Sequence, residues 1–251
     1  FAYVSEARRM GVRIMGPDVR HSRVHWTGKG KHIRVGLMAV KGLTRATMNR
    51  IVTEQKKIPF SDSFNFFSRI RPREDEIQAL TDSGSLDSLD KQNSRAAMRW
   101  SFSAWQADQR ADHYESTLFH RDIPDIPDLP PDPPMGRLRR EFSVLGFLPG
   151  THPMVLVAKK IKELNTFKAA DLPVMTGKRV RFAGWLITGK LVKTKQGDPM
   201  KFLTFEDETG LVETVFFPKP YAQFCHILDY GRPYLLSGQV ESEWGAFTLT
   251  V

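Results

Sequence analysis

Apolar and polar residues between positions 179 and 251 form the short alternating runs that are typical of β-strands. Residues 200–206 and 211–217 are rich in β-branched and aromatic side chains, and residues 207–210 between them are turn formers, which predicts a hairpin. Pro218 prevents further ladder pairing. We also expect strands over residues 179–188, 233–241 and 244–251 and a short helix over residues 221–228.

Helical periodicity marks a segment near the start of the chain. Residues 33–40 are apolar at helical spacing, residues 41–44 interrupt the pattern, and residues 45–57 resume it with one apolar face. This pattern predicts a helix, a tight turn and a second helix.

The turn between these helices carries residue types that suit a phosphate. Gly42 can take a positive φ, and Thr44 can cap the second helix, whose first backbone N–H groups then point toward an anion. Lys41 and Arg45 flank that position. The arrangement resembles the helix-hairpin-helix motif, which grips a nucleic-acid backbone without reading bases, with Thr44 in place of its second glycine. The alternative is an ordinary helical corner with Gly42 after the first helix.

The remaining pattern is helical up to the strands. Further helices are expected over residues 1–10, 61–70, 73–83, 94–113, 135–148 and 155–171, and residues 122–134 form a linker rich in proline and aspartate.

Five strands with one helix after the third are the order of an OB-fold, a small barrel that binds single-stranded nucleic acid or oligosaccharides. The predicted fold class is therefore α+β and multidomain, with a helical helix-hairpin-helix region followed by a five-stranded OB-fold β-barrel. The expected domains are residues 1–30 as a first region, 31–113 as the helix-hairpin-helix domain, 114–176 as the linker with connecting helices, and 177–251 as the barrel.

Charge favours an acidic partner. The net charge is +9, and residues 1–57 hold 13 Lys and Arg against 3 Asp and Glu. Residues 58–135 hold 8 basic against 14 acidic residues, and residues 136–251 hold 16 against 11. Any one basic block can equally be a solvated surface.

Several protein classes are disfavoured. No apolar run approaches the roughly 20 residues that span a bilayer. Cys225 permits no internal disulfide and is expected to be a buried thiol in a reducing compartment, so a cytoplasmic location is expected. The seven histidines do not form a metal set, and Phe1 at the start suggests a fragment or a processed chain.

Four motifs occur together along the chain. They are Gly-Pro-Asp-Val at 16–19, Gly-Leu with Val-Lys-Gly-Leu at 36–43, Leu-Gly-Phe with His-Pro at 145–153, and Phe-Glu-Asp-Glu-Thr-Gly with Phe-Pro at 205–218. This series resembles the C-terminal part of the bacterial DNA polymerase III alpha subunit, in both its replicative and its error-prone form. The resemblance covers essentially the whole chain. One departure from it is Arg20, which occupies a position where that family usually has Asn.

The resemblance implies the tail of the fingers region over residues 1–30, a helix-hairpin-helix module on duplex DNA and an OB domain near the single-stranded template. It also implies that the parent protein is a DNA-directed DNA polymerase, whose palm carries an Asp-x-Asp signature for two Mg²⁺ ions. The 251 residues contain no Asp-x-Asp. We therefore expect no catalytic residue, no bound metal and no cofactor in this chain, and no polymerisation by it alone.

A sliding clamp is a further implied partner. Residues 115–119 lie where the family often has a clamp-binding peptide of the Gln-x-x-Leu-Phe kind, with Glu115 in place of Gln. Leu118 and Phe119 are the candidate clamp-binding residues, and the alternative is that they pack locally.

The barrel supplies its own candidate DNA-binding residues. Alternation over 179–187 places Phe182 on the core face and Arg181 and Trp185 on the other. We expect lysine to hold phosphate and Trp185 to stack on a base. The lysines are Lys190, Lys193, Lys195 and Lys201. The alternative is that Trp185 covers the helical part and the lysines only solvate a loop.

Two functions follow from these observations. The first is a DNA-binding segment of a polymerase III alpha-like protein, active in replication or translesion synthesis on duplex and single-stranded DNA. The second is a free-standing, non-catalytic adaptor in a replication or repair complex, whose OB-fold serves for protein packing.

Overall fold

The computed structural model describes residues 2–90, 94–114, 127, 129–130 and 132–251. These residues divide into two compact units, residues 3–150 and residues 151–251. The first is mainly helical and is called the helical unit below, and the second contains the barrel and is called the barrel unit.

The helical unit is built from six helices within its described residues. Most of the helices predicted there are confirmed within a few residues, and their caps explain where they begin. Asp62 accepts from the Asn65 amide at the start of one helix, and Gly146 at φ 77° ends another. The helices are α1 Ala2–Arg9, α2 Arg45–Lys57, α3 Ser63–Ile70, α4 Glu74–Asp82, α5 Arg95–Tyr114 and α6 Pro134–Leu145.

The prediction of a helix over residues 33–40 is wrong. Only Leu37–Ala39 forms a single 3-10 turn. The amides of Val35, Leu37 and Met38 donate to the carbonyls of Met15, Arg23 and Val24, so they are not available for a helical ladder. A Cβ on Gly36 would lie 2.5 Å from the Val24 carbonyl oxygen, so this segment is extended and pressed against its neighbour.

A three-stranded sheet that the sequence pattern did not reveal replaces part of that helix. Its strands are β1 Arg13–Met15, β2 Thr27–Lys29 and β3 His32–Arg34, in the order β1-β3-β2. The β1–β3 pair is parallel and the β2–β3 pair is antiparallel. Each strand has three residues, which is too short for an alternating pattern to stand out.

The barrel unit confirms the five predicted strands and the short helix after the third. The helix predicted over residues 155–171 is wrong, because α-helix is limited to residues 158–162 there. A 3-10 helix over Pro153–Val157, α7 Ala158–Lys162 and a second 3-10 helix over Ala169–Met175 precede the strands. The strands are β4 Arg179–Lys193, β5 Pro199–Glu206, β6 Leu211–Phe216, β7 Pro233–Glu243 and β8 Ala246–Thr250, with α8 Pro218–Phe224 after the third.

Strand order shows that the sheet closes. The order is β4-β5-β6-β8-β7, and β7 pairs back onto β4. The interior is filled by apolar side chains from all five strands, including the fully buried Phe182, Leu203 and Phe205. Ala169 and Leu172 from the preceding 3-10 helix join this core. The α+β fold class with a five-stranded OB-fold is thereby confirmed.

Strand β4 is longer than expected and pairs with two neighbouring strands. Residues 179–185 pair with β7, and residues 185–193 pair with β5 across an irregularity between Leu186 and Thr188. Such a bulge lets one strand bend around a closed barrel.

Cys225, expected to be buried, is exposed because it lies in the 3-10 turn after α8, none of whose residues is buried.

Charged side chains join three helices of the helical unit. Arg95, only 6% exposed, donates to Asp87, Glu141 and the Asp82 carbonyl at 2.8 to 3.0 Å. These contacts tie α5 to α6 and to the end of α4. A buried cation with several bonded partners is costly to remove, because its partners then lose their compensation.

Arg95→Ala is therefore expected to lower the free energy of unfolding of the helical unit by about 3 kcal/mol. Urea denaturation followed by circular dichroism measures the change. The matched control is Arg73→Ala, whose pair with Asp75 leaves both side chains 62% exposed and which should have little effect. Equal stability of the two variants would contradict a structural role for the Arg95 pairs.

Candidate nucleic-acid interface

The hairpin between residues 41 and 45 has the cap predicted for it. Thr44 is the N-cap of α2, and its hydroxyl accepts from the Thr47 amide at 3.3 Å. Gly42 has φ 92°, a value that favours glycine. Leu43 is buried beneath the turn, so the backbone on either side of it is held at the surface.

A carboxylate of the chain itself lies at this hairpin. Glu76, in the first turn of α4, is 2% exposed, and its Oε1 accepts from the Thr44 amide at 3.1 Å and the Thr44 hydroxyl at 2.7 Å. Its Oε2 accepts from the Arg73 amide at 3.1 Å. Burial opposes ionisation of this carboxyl, but the hydrogen bonds from Thr44, Arg73 and Thr47 outweigh it and hold the pKa of Glu76 below its usual value.

Glu76 therefore accepts from the amide of the N-cap residue Thr44, next to the helix amides that were expected to face an anion. The amides of Arg45 and Ala46 remain at the start of α2, where a helix provides no internal partner. Lys41, Gly42, Arg45 and Ala46 are all exposed. The Lys41 ammonium lies beside Gly146 at the end of α6, 3.5 Å from where a Cβ on that glycine would be. The structure thus brings Lys41, Gly42, Thr44 and Arg45 together at one exposed turn.

In the barrel unit, Trp185 does not have the exposure that base stacking needs. It is 4% exposed, although it lies on the outer face as predicted. Its cross-strand partner Glu206 is fully buried and lies 3.0 Å from His152 Nε2, so the segment before the barrel covers this part of the face. Ala183 on the same face is 7% exposed and lines a cavity with His152 and Lys168. The expectation that this side of β4 is open at Trp185 is wrong.

An exposed aromatic side chain occurs instead on the β4–β5 part of the outer face. Phe202 is 39% exposed and stands directly opposite Lys190. Along β5, Phe202 points to the face opposite to the buried core residues Leu203 and Phe205, because alternate residues of a strand project to opposite faces. This alternation was visible in the sequence. Trp244, 98% exposed in the turn between β7 and β8, is a second aromatic side chain that the sequence analysis did not select.

The candidate basic residues of the barrel do not form one cluster. Lys190, Lys193 and Lys195 are exposed along the end of β4 and the following loop. The Lys201 ammonium lies 5.6 Å from the centre of the Tyr230 ring, an attractive cation–π contact. Arg181 pairs with Ser237 of β7 and lines a cleft with Phe167 and Arg179. Eight residues of the same strand lie between Arg181 and Lys190, so the structure does not bring these two together.

Other expectations concern residues or groups beyond these surfaces. Leu118 and Phe119 lie outside the described residues. Among the residues that the structure describes, no group of three or more His, Cys, Asp or Glu is arranged to hold a metal ion. The helices within that part of the chain are all too short or too polar to cross a bilayer.

Two family models match the chain. Residues 11–98 match the helix-hairpin-helix motif, and residues 180–251 match the OB-fold nucleic acid binding domain. The first covers the hairpin with its neighbouring sheet and helices, and the second covers the closed barrel.

Curated relatives match nearly the whole chain. The DNA polymerase III subunit alpha of Halalkalibacterium halodurans is 24% identical over 95% of this chain and 22% of its own length. The error-prone DNA polymerases of Rhodopirellula baltica and Alkalilimnicola ehrlichii are 26% and 29% identical over 99% and 97% of this chain. The chain thus spans about 22% of the length of its relatives, in their C-terminal part. The resemblance to that part of the DNA polymerase III alpha subunit is confirmed.

The Glu76 contacts predict how stability depends on pH. The unfolded chain binds a proton at this carboxyl more readily than the folded chain, so the contribution is present at neutral pH and is lost as pH falls through the lowered pKa of Glu76. Glu76→Gln should be less stable at about pH 7 and should lose less stability between about pH 7 and pH 3.

Denaturant unfolding at both pH values measures this difference. Glu74→Gln, at an exposed position in the same helical turn, is the matched control and should follow the unaltered protein. A Glu76→Gln variant with the same pH dependence as the unaltered protein would contradict the assignment.

Proposed function

We propose that this chain, whose relatives are DNA polymerase III alpha subunits and error-prone DNA polymerases, is a DNA-binding segment of such a polymerase. The helical unit grips the backbone of duplex DNA with the hairpin at residues 41–45. The barrel unit holds single-stranded template on its β4–β5 face. The segment contributes affinity and position, and the polymerisation chemistry belongs to the remainder of the parent protein.

The observation that carries the proposal is the exposed Phe202 beside Lys190 on a closed five-stranded barrel. Proteins that hold single strands without sequence preference combine aromatic side chains, on which bases stack, with cations that follow the phosphates. Lys193, at the end of β4 with the opposite parity to Lys190, and Lys195 in the β4–β5 loop add cations at this end of the barrel. In OB-folds this loop and the loop between the last two strands, where Trp244 lies here, flank the nucleic acid.

The helical unit supports the duplex part of the proposal. The exposed residues Arg45 and Ala46 supply the first two amides of α2, beside Lys41, and Leu43 and Glu76 anchor the backbone there. This geometry suits a phosphate oxygen and includes no group that selects a base. Glu76 lowers the positive potential at the helix end, so the side-chain charges supply most of the attraction.

A clamp contact through Leu118 and Phe119 remains part of the proposal on sequence grounds alone. Replacement of both by Ala should then remove binding to the cognate sliding clamp and leave DNA affinity unchanged.

Single-strand binding is tested by fluorescence titration of the full chain with mixed-sequence oligonucleotides at low salt. Phe202→Ala and Trp244→Ala should each weaken binding about 5- to 150-fold, because a stacked base contributes about 1 to 3 kcal/mol. Tyr3→Ala removes an aromatic side chain that is 92% exposed on α1 and should have no effect on single-strand binding.

The double variant Lys193→Ala with Lys195→Ala should reduce the dependence of single-strand affinity on salt concentration, with a fall in the salt slope of about 1.4 at most. Absence of binding by the unaltered chain would make the barrel a packing module.

Duplex binding is tested with Lys41→Gln together with Arg45→Gln. Affinity should fall equally for all duplex sequences, and the salt slope should fall by about two at most, because each cation neutralises one phosphate. Lys56→Gln with Arg139→Gln removes the same charge from two exposed positions of the same unit and serves as the control. Equal slopes for the hairpin variant and the unaltered chain would show that the hairpin is structural.

A further inference from the structure

The small sheet of the helical unit carries a row of basic side chains across its three strands. Arg13 of β1 is opposite His32 of β3, and Lys29 of β2 is opposite the same His32. Residues directly opposite each other project from the same face of a sheet. Arg13, Lys29 and His32 are all exposed, and so is Lys31 in the turn between β2 and β3. We call Arg13, His32 and Lys29 the basic row.

The backbone fixes the position of this row. The Arg13 amide donates to the Lys31 carbonyl at 2.8 Å, and Gly30 with φ 57° sets the turn between β2 and β3. The neighbouring residues Ile14 and Ile33 point to the opposite face, where Ile14 is only 7% exposed. The apolar face of the sheet is therefore packed inward, and the basic row stands on the solvent side.

Nearby carboxylates are bonded to other cations. The only acidic residues among positions 1–57 are Glu6, Asp18 and Glu54. Glu6 pairs with Arg9 at 2.8 Å, Asp18 lies 3.9 Å from Arg34, and Glu54 pairs with Lys57 and Arg69. Within the part of the chain that the structure describes, Arg13, Lys29 and Lys31 form no ion pair.

The basic row has a defined width. Arg13 and Lys29 lie on the two outer strands of the sheet, on either side of the His32 imidazole. The row spans two strand spacings, about 10 Å, which is wider than one small anion. A nucleic-acid strand presents a charge about every 3.4 Å along its axis, so a row of this width spans about three such intervals and can meet more than one phosphate.

We propose that the basic row is a second contact for the phosphate backbone of duplex DNA, additional to the hairpin at residues 41–45. This inference rests on the proposed function, since it assigns a further part of the same duplex grip. Arg13 and Lys29 each neutralise a phosphate, and His32 donates a hydrogen bond between them. The contact reads no base.

The test is Arg13→Gln with Lys29→Gln in the full chain, titrated with duplex DNA at several salt concentrations. Affinity should fall equally for unrelated sequences, and the salt slope should fall by about two at most. The Lys56→Gln, Arg139→Gln control should change both quantities less. Arg13→Lys with Lys29→Arg keeps the charges and should retain the slope of the unaltered chain.

Thermal unfolding without DNA separates binding from folding. Because Arg13 and Lys29 are exposed and form no ion pair within the described residues, the Arg13→Gln, Lys29→Gln variant should keep the Tm of the unaltered chain. A lower Tm for this variant, or a loss of affinity no greater than in the control, would overturn the inference.

The outcome also separates the two proposals. If the hairpin variant loses affinity and the basic-row variant does not, only the inference about the row is wrong. If the unaltered chain does not bind duplex DNA at low salt, the duplex part of the proposed function fails and the row fails with it.

Discussion

The helical unit depends on one buried carboxylate. Glu76 bonds to the amide and hydroxyl of Thr44 and to the amide of Arg73, so the start of α4 holds the turn before α2 in place. A charge buried to this extent is stable only when its oxygens are bonded, and any displacement of the turn would break those bonds. Lys41 and Arg45 therefore extend from a turn that contacts within the helical unit hold in place. Such preorganisation reduces the entropy that binding must offset.

The barrel unit separates its outer face into a covered part and an open part. His152 and Glu206 lie where the segment preceding the barrel crosses β4 and β5, and Trp185 is buried there. Beyond the bulge after Leu186, the same strand becomes exposed and carries Lys190 next to Phe202. Exposed aromatic and cationic side chains thus occur together at only one end of a strand that looked uniform in sequence.

The elements with long, regular patterns could be predicted from the sequence, including α2 with its Thr44 cap and the five barrel strands. The sheet formed by β1, β2 and β3 could not, because three-residue strands show no period and the extended state of residues 33–36 comes from hydrogen bonds to residues 15 and 23–24. The Trp185 face was assigned correctly by alternation, but its burial depends on residues 152–157, far away in sequence. Alternation gives the side of a strand and says nothing about what covers it.

The double pairing of β4 also determines when the barrel can form. Trp185 pairs with Glu206 in β5 and with Pro233 in β7, so the strand meets its first neighbour within a hairpin and its second at a residue 48 positions further along the chain than Trp185. Contacts at such separation form late, because the intervening chain must first be ordered. While the ribosome is still adding β7 and β8, the β4–β5–β6 sheet has two open edges and an uncovered apolar face that includes Phe182 and Phe205. This interval, before the last two strands emerge, is when the nascent barrel is most prone to aggregate or to require a chaperone.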